Sequence, residues 1–455
     1  MKRGIVALAG LLALAAGVQN SQAKTLEEVL KEKGVITEAD YNDILKSAPK
    51  STPVAYKLGS GFTFTSPDEK YSLTIGGQVQ TRYTFTQKDG ANAVSDVSAW
   101  NIPRARTFLS GYFLTKDLTF KSYQDWAALN SWNSGTTNSN TSKVMLETLI
   151  NYRIVDEAQL RVGQDKVQFS RQYITSSSQN EFVDNSFVTS AFAPGYDTGL
   201  SALGSVANGM LTYSAAWVGG NGQDVVAGDN NNSYNFRVTV NPFGDFKYSE
   251  ADIDKSAKPQ LALGSSYYHD NVRLNYTPAS GTTAAAAAVE TTNLGYLNST
   301  TGWLGKNIST FQTGAPAAEN INVQMLEFDT AFKWQGLAVQ AEYFWGQANS
   351  SMRSNINLIS KGFYAQAGYM VIPKTVELAI RYNWMDYNAY KTDSLKSEVQ
   401  GAISWYINSH NLKIQADVTS STYQKNAANS NSAAAPVAGG SNTDTIFRTQ
   451  AQILF

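Results

Sequence analysis

The chain has 455 residues, a formal net charge of −1 and no cysteine. The lack of cysteine excludes disulfides, thiolate zinc sites and cysteine nucleophiles. The near-zero charge argues against nucleic acid as a partner, and the two histidines, His269 and His410, are too isolated to predict a metal cluster. We therefore predict no catalytic site, no metal site and no cofactor.

The first residues predict a cleaved secretory signal, residues 1–23. Lys2 and Arg3 precede an apolar run from Ile5 to Val18, and small residues end at Ala23. A membrane anchor is the alternative, but the run is shorter than the ~20 apolar residues that a spanning helix needs. The absence of cysteine after the run excludes a lipoprotein anchor.

Residues 24–56 predict a short helical segment in the periplasm. Apolar residues in Leu26–Leu30 and again in Tyr41–Leu45 have helical spacing, and Thr37 with Asp40 resembles a capping box. Each helix is too short to be stable alone. The helices could pack on each other, on sister subunits or on the mouth of the following domain.

Residues 57–455 predict an all-β domain, a transmembrane antiparallel β-barrel of about 16 strands. Apolar and polar residues alternate with a period of two, two-residue turns such as Gln335-Gly336 join neighbours, and the chain ends on an alternating strand with a terminal Phe455. The predicted strands lie near residues 71–85, 105–113, 118–126, 144–154, 158–167, 198–204, 210–218, 234–240, 261–268, 328–334, 337–345, 363–371, 376–384, 399–407, 412–418 and 445–455.

The connections alternate between short turns and long polar loops, which is typical of outer-membrane barrels. Residues 169–194 form one long loop, but Phe182, Phe187 and Phe192 make it too apolar for a free surface loop, so we predict that it folds into the barrel and sets the pore width. An ordinary extracellular loop is the alternative. Residues 241–258 form an unusually long connection on the short-turn side, and Ala284–Ala288 has the composition of solvated loop.

Charged side chains fix which strand face points inward, because a Lys or Arg facing lipid near midplane costs about 2 to 4 kcal/mol. The first half of the wall then presents mostly basic residues to the lumen, and the second half mostly acidic ones. For each arginine alone, a wall ion pair and a solute contact remain open alternatives. The candidate pore-lining and constriction residues are Arg82, Arg104, Arg106, Arg161, Lys166, Arg171, Glu181, Asp184, Arg237, Arg381 and Arg448.

Four segments in this order, Ile102–Arg106, Leu160–Ser170, Ile174–Ser177 and Phe236–Gly244, resemble the phosphate-selective porin O and P family. The resemblance implies 16-stranded outer-membrane channels that assemble as trimers, with the third long loop folded inside to narrow the pore. Lysines from several loops crowd the constriction in the phosphate-binding members of that family.

The residues and the resemblance together lead us to expect a bacterial outer-membrane porin, exported through the periplasm, for passive diffusion of small hydrophilic solutes with a mild anion preference. The expected partners are outer-membrane lipid and lipopolysaccharide, the solutes or anions, and two further copies in a homotrimer. A specific phosphate or polyphosphate channel is one alternative. A structural barrel around a partner in an outer-membrane complex is another, although it calls for a wider barrel. An enzyme is disfavoured, because neither histidine lies near a serine on one strand face.

Overall fold

The computed structural model describes residues 26–47, 54–89, 95–129, 143–225, 230–277, 286–289, 294–311, 318–427, 436 and 439–455. The predicted signal peptide lies outside these residues. The chain divides into two compact units, Met1–Thr52 and Pro53–Phe455. Within the described residues, no helix has the length and apolar character needed to cross a membrane.

The first unit contains two short helices, α1 (Leu26–Glu32) and α2 (Glu38–Ser47). The backbone N–H of Asp40 donates to Thr37 Oγ1 over 3.1 Å, and the backbone N–H of Thr37 donates to Asp40 Oδ2 over 3.0 Å. This reciprocal pair is the capping box that the sequence predicts.

The second unit is a closed antiparallel barrel of sixteen strands, in which each strand pairs with its neighbours and the last pairs with the first. All sixteen overlap the predicted strands, although three of them, Val97–Phe113, Gln260–Thr277 and Ala318–Trp334, extend well beyond their predicted bounds into segments predicted as loops. Two short strands, β1 (Val54–Lys57) and β2 (Gly61–Thr65), form a hairpin that adds to the start of the first barrel strand. The barrel strands are β3 (Tyr71–Gln87), β4 (Val97–Phe113), β5 (Thr115–Asp125), β6 (Met145–Val155), β7 (Ala158–Lys166), β8 (Tyr196–Val206), β9 (Leu211–Val218), β10 (Ser233–Val240), β11 (Gln260–Thr277), β13 (Ala318–Trp334), β14 (Leu337–Ser350), β15 (Asn357–Ile372), β16 (Val376–Asp386), β17 (Leu395–Asn408), β18 (Leu412–Gln424) and β19 (Ser441–Leu454).

One loop prediction is wrong. Part of the alanine run read as solvated loop is a strand, β12 (Ala286–Val289), which pairs with Leu274–Thr277 at the end of β11. Composition alone did not reveal it, because the pairing depends on β11 running nine residues beyond its predicted end at Tyr268.

The last residue extends the ladder that closes the barrel. Phe455 and Gly77 exchange two backbone hydrogen bonds, of 3.0 and 2.7 Å. A Cβ at Gly77 would lie 2.6 Å from the Phe455 ring. A larger residue at position 77 would therefore push the Phe455 ring aside.

The turn between β13 and β14 shows how local chemistry sets the register. Gln335 and Gly336 both have positive φ, 49° and 90°, as a type I′ hairpin turn requires. Trp334 then pairs with Leu337, and the ladder continues to Ile321 opposite Ser350. Along β14 the inward side chains Gln340, Glu342 and Phe344 are buried, so one face of the strand meets protein rather than lipid.

The main apolar core lies inside the barrel. Two long loops meet there: residues 167–195, here called the constriction loop, and residues 294–311, which contain helix α5 (Trp303–Asn307). A third piece of chain, residues 241–259, here called the inserted segment, buries Phe246 and Ile253 at the end where the short turns lie. The lumen is thus partly filled by the protein's own chain.

Candidate functional site

The constriction loop crosses the lumen as two short α-helices, and the stretch between them contains a 3-10 helical turn at Ser177–Gln179. Ser170 begins α3 (Arg171–Ile174), and Ser186 begins α4 (Phe187–Phe192), each through its side-chain oxygen. Phe182 and Phe192 are fully buried, and the Phe192 ring stacks on Phe344 of the wall at 5.3 Å. The prediction that this loop folds into the barrel is confirmed.

The base of the loop is fastened by a buried ionic network. Arg171 Nε lies 2.5 Å from Asp329, and Arg237 bridges Asp329 and Glu327 at 2.5 and 3.0 Å. Glu342 accepts two further hydrogen bonds of 2.6 Å, from the Ser170 hydroxyl and the backbone N–H of Gln172. Since removal of one member of such a pair leaves an uncompensated buried charge, this network holds the loop firmly.

The tip of the loop is fastened through Asp184. Its carboxylate accepts two hydrogen bonds from Arg82, of 2.7 and 2.8 Å, and lies 3.2 Å from Arg448 and 3.7 Å from Arg104. Burial acts to raise the pKa of Asp184, but the three guanidinium groups outweigh it and hold the pKa well below its usual range. The attachment is therefore present at neutral pH and is lost only as pH falls through that depressed pKa.

Two further site residues, one on the wall and one on the loop, join the loop to the wall. Arg381 donates to the backbone oxygen of Asp184 over 2.9 Å and stacks on the Phe182 ring at 4.2 Å. Glu181 accepts from Gln366 over 2.9 Å. Burial, reinforced by the neighbouring carboxylates of Glu377 and Glu250, raises the pKa of Glu181 well above its usual range.

These positions correct part of the sequence-based site. Arg171, Glu181, Arg237 and Arg381 were expected to line the open pore, yet at most 5% of any of them is exposed. The cost of a charge facing lipid predicts which side chains point inward, but it does not reveal that the loop covers the acidic half of the wall. In the structure these four residues bind the loop to the wall.

Four other predicted bases lie on the opposite arc, Arg104 and Arg106 on β4 and Arg161 and Lys166 on β7. We call these four together with Lys121 the basic track. Arg106 pairs with Asp125 at 2.7 Å, Arg161 pairs with Asp165, and Lys121 of β5 pairs with Glu147. Lys166 donates to the backbone oxygen of Tyr173 over 2.9 Å. Side-chain exposure is 42% for Lys121, 25% for Arg161 and 17% for Arg104, so these bases do reach the lumen.

Three tyrosines accompany the track, and sequence reasoning missed them. The Arg106 guanidinium lies 5.5 Å from the Tyr123 ring, and Lys166 Nζ lies 5.5 Å from Tyr173 and 5.9 Å from Tyr196. Burial raises the pKa of the Tyr173 hydroxyl to about 12, so it stays neutral. Tyr123 lies two residues after Lys121 on the same strand, so alternation could have predicted that it points inward. Tyr173 belongs to the constriction loop, where alternation gives no such prediction.

Cavities open at both ends of the track. One of about 400 Å³ lies towards the long loops and is lined by Arg104, Tyr173, Asp184 and Lys396. One of about 270 Å³ extends towards the short turns and is lined by Arg161, Lys166 and Thr239. Lys166 lines the second cavity and its partner Tyr173 lines the first, so the basic track borders both cavities, and the route between them is here called the passage.

Residues 73–455 match the family described as phosphate-selective porin O and P. The chain belongs to this family. Among solved structures, the porin is similar to the outer membrane channel DcaP of Acinetobacter baumannii, at 11% identity and a TM-score of 0.52, covering 87% of this chain and 100% of that one. It is also similar to the trimer form of the outer membrane protein OmpT of Vibrio cholerae, at 9% identity and a TM-score of 0.50, covering 85% and 99%. No curated protein matches the chain.

The family and the sixteen-stranded fold identify the protein as an outer-membrane porin, a channel for passive diffusion of small hydrophilic solutes. Both point to a channel rather than an enzyme. Among the described residues, no group of three or more His, Asp or Glu side chains could hold a metal ion.

Proposed function

We propose that this porin passes small hydrophilic solutes with a mild preference for anions. The observation that carries the proposal is the difference between the two arcs of the wall. The basic track faces the passage, whereas Glu327, Asp329 and Glu342 of the acidic arc are sealed behind the constriction loop. A solute in the passage therefore meets mainly the field of the bases.

The preference is mild because carboxylates accompany most of these bases. Asp125, Glu147 and Asp165 each pair with one member of the basic track. Arg104 and Lys166 supply the excess positive charge, and Asp184 near Arg104 is shared with Arg82 and Arg448. A passage with this balance sorts ions weakly and admits neutral polar solutes.

A specific phosphate channel needs additional bases that converge on the passage. Two bases of the other long loops bind backbone oxygens instead: Lys306 donates to that of Ala427 over 2.8 Å, and Arg353 donates to that of Phe311 over 2.6 Å. We therefore infer that phosphate is one permeant anion among several. A barrel wrapped around a protein partner is also disfavoured, because this lumen holds its own loops.

We expect low millimolar phosphate to leave the chloride current of single channels almost unchanged, since the described loops supply no cluster of lysines that would retain a phosphate ion. The measurement is the open-channel current in KCl before and after phosphate addition, with sulfate as the control anion. Block by phosphate but not by sulfate would favour the specific phosphate channel.

We also propose a homotrimer. Small lipid-facing residues would let barrels approach closely; they are Gly111, Ala365, Ala367, Gly401 and Ala416. Detergent extracts run without heating should give a band near three times the monomer mass, and heating should convert it to monomer. A monomer band alone after mild extraction and crosslinking would contradict the trimer.

For the rest of the chain, we propose that residues 1–23 are a cleaved export signal and that the helices of residues 24–56 lie in the periplasm, where the short turns of such barrels are found. The barrel would follow from residue 57. Mass spectrometry of the mature protein tests the cleavage after Ala23.

A further inference from the structure

The inserted segment is attached to the barrel wall at several points. Asn241 Nδ2 donates to the backbone oxygen of Gly209 over 2.7 Å, and the backbone N–H of Gly336 donates to Asp252 over 2.7 Å. Between these points, Ala251 and Ile253 pack with wall residues Met370 and Tyr406. The segment is therefore a fixed part of the lumen and not a free turn at the barrel end.

Glu250 of this segment reaches the constriction loop from below. Its Oε1 accepts from Gln172 Nε2 over 2.7 Å, and its Oε2 accepts from the backbone N–H of Glu181 over 2.8 Å. The backbone N–H of Glu250 donates to the backbone oxygen of Gln179 over 3.2 Å. All three partners belong to the constriction loop, and Glu250 itself is 3% exposed.

The same segment also braces the base of the loop. The Arg171 guanidinium lies 5.2 Å from the Phe246 ring and 4.9 Å from the Tyr248 ring, so two aromatic side chains of the segment contact it. Arg171 in turn pairs with Asp329 of the wall. The loop is thus held by the wall around it and by the inserted segment beneath it.

We propose that Glu250 is a positioning residue for permeation: through it, the inserted segment fixes the constriction loop and so sets the width and steadiness of the pore. This inference rests on the porin function and adds a second piece of chain to the constriction. The carboxylate suits the role because two acceptor oxygens satisfy two buried donors at once. Without it, the N–H of Glu181 has no acceptor on that side, and the attached and displaced positions of the loop become closer in free energy.

The test is single-channel recording of Glu250→Ala and Glu250→Gln, with Asp254→Asn as the control. Asp254 lies on the same segment but is exposed, so its change removes one negative charge without touching the loop. We expect Glu250→Ala to raise the fraction of time spent in altered conductance levels by about tenfold, and Glu250→Gln, which keeps one acceptor, to have an intermediate effect. Asp254→Asn should match the unmodified channel.

The reversal potential separates positioning from a direct effect of charge. Because the basic track is unchanged, Glu250→Ala should keep the ion preference of the unmodified channel while its current becomes unsteady. The proposal is wrong if both Glu250 variants give steady currents of normal size. Their folding is checked by the change in gel mobility that heating causes in an intact barrel. If Glu250→Ala fails to fold, Glu250→Gln alone decides. Absence of channels in the unmodified protein would instead refute the porin function itself.

Discussion

Deleting Ser176–Asn185 should raise the single-channel conductance roughly twofold or more, because these residues form the part of the constriction loop that spans the lumen. They meet the wall across several strands: Asp184 binds Arg82, the Asn180 carbonyl accepts from Lys413 over 2.8 Å, and Ser177 accepts from Arg106 over 3.1 Å. Removing them opens the cross-section and lets water reach the wall charges that the loop now covers.

The deletion is informative because the barrel does not depend on these residues for its strand pairing. Strand ladders surround the loop on all sides and close through β3 and β19. Heat-modifiable mobility in gels checks that the barrel is intact. An intact barrel with unchanged conductance would mean that the loop does not limit the pore.

Changing Arg104 and Lys121 together to Glu should reverse the ion preference from anions to cations. Both bases belong to the basic track, and their side chains are 17% and 42% exposed to the lumen. The double change spares the ion pair between Arg106 and Asp125, whose side chains are only 12% and 10% exposed. The new carboxylate at position 121 also faces a carboxylate, that of Glu147, but its site is 42% exposed and open to water.

The matched control for that change is Arg153→Glu. Arg153 is a base of the same half of the wall, is 44% exposed and pairs with Asp117 near a short turn, away from the passage. It should leave the preference almost unchanged. In about 1 M salt, where the Debye length is ~3 Å, the double variant and the unmodified channel should converge. An equal effect of Arg153→Glu would point to total charge rather than the track.

The barrel could be predicted from sequence because its rule is local. The alternation of apolar and polar residues predicts the sixteen strands, and two-residue turns such as Gln335-Gly336 join neighbours. The cost of a charge in lipid then predicts which face of each strand points inward. The inward direction of Arg104, Arg106 and Arg161 followed from the same rule. The phenylalanine spacing also placed residues 169–194 inside the barrel.

What the sequence could not reveal depends on contacts distant along the chain. Arg171 finds Asp329, and Arg381 finds Phe182, only after the loop has crossed the lumen. Whether an inward side chain meets water or protein is decided by that crossing and not by its strand. The inserted segment stood out only as a connection of unusual length, and nothing local to Glu250 marks it as a partner of the loop.

The reversal potential of the unmodified porin under a KCl gradient shows most directly whether a basic track borders a water-filled passage. With about 0.01 M salt on the dilute side, the Debye length is ~30 Å, so salt hardly screens the attraction between the lumen charges and passing ions. We expect a modest potential of the sign set by chloride permeation, which fades as both solutions approach about 1 M. A clear cation preference at low salt would contradict it.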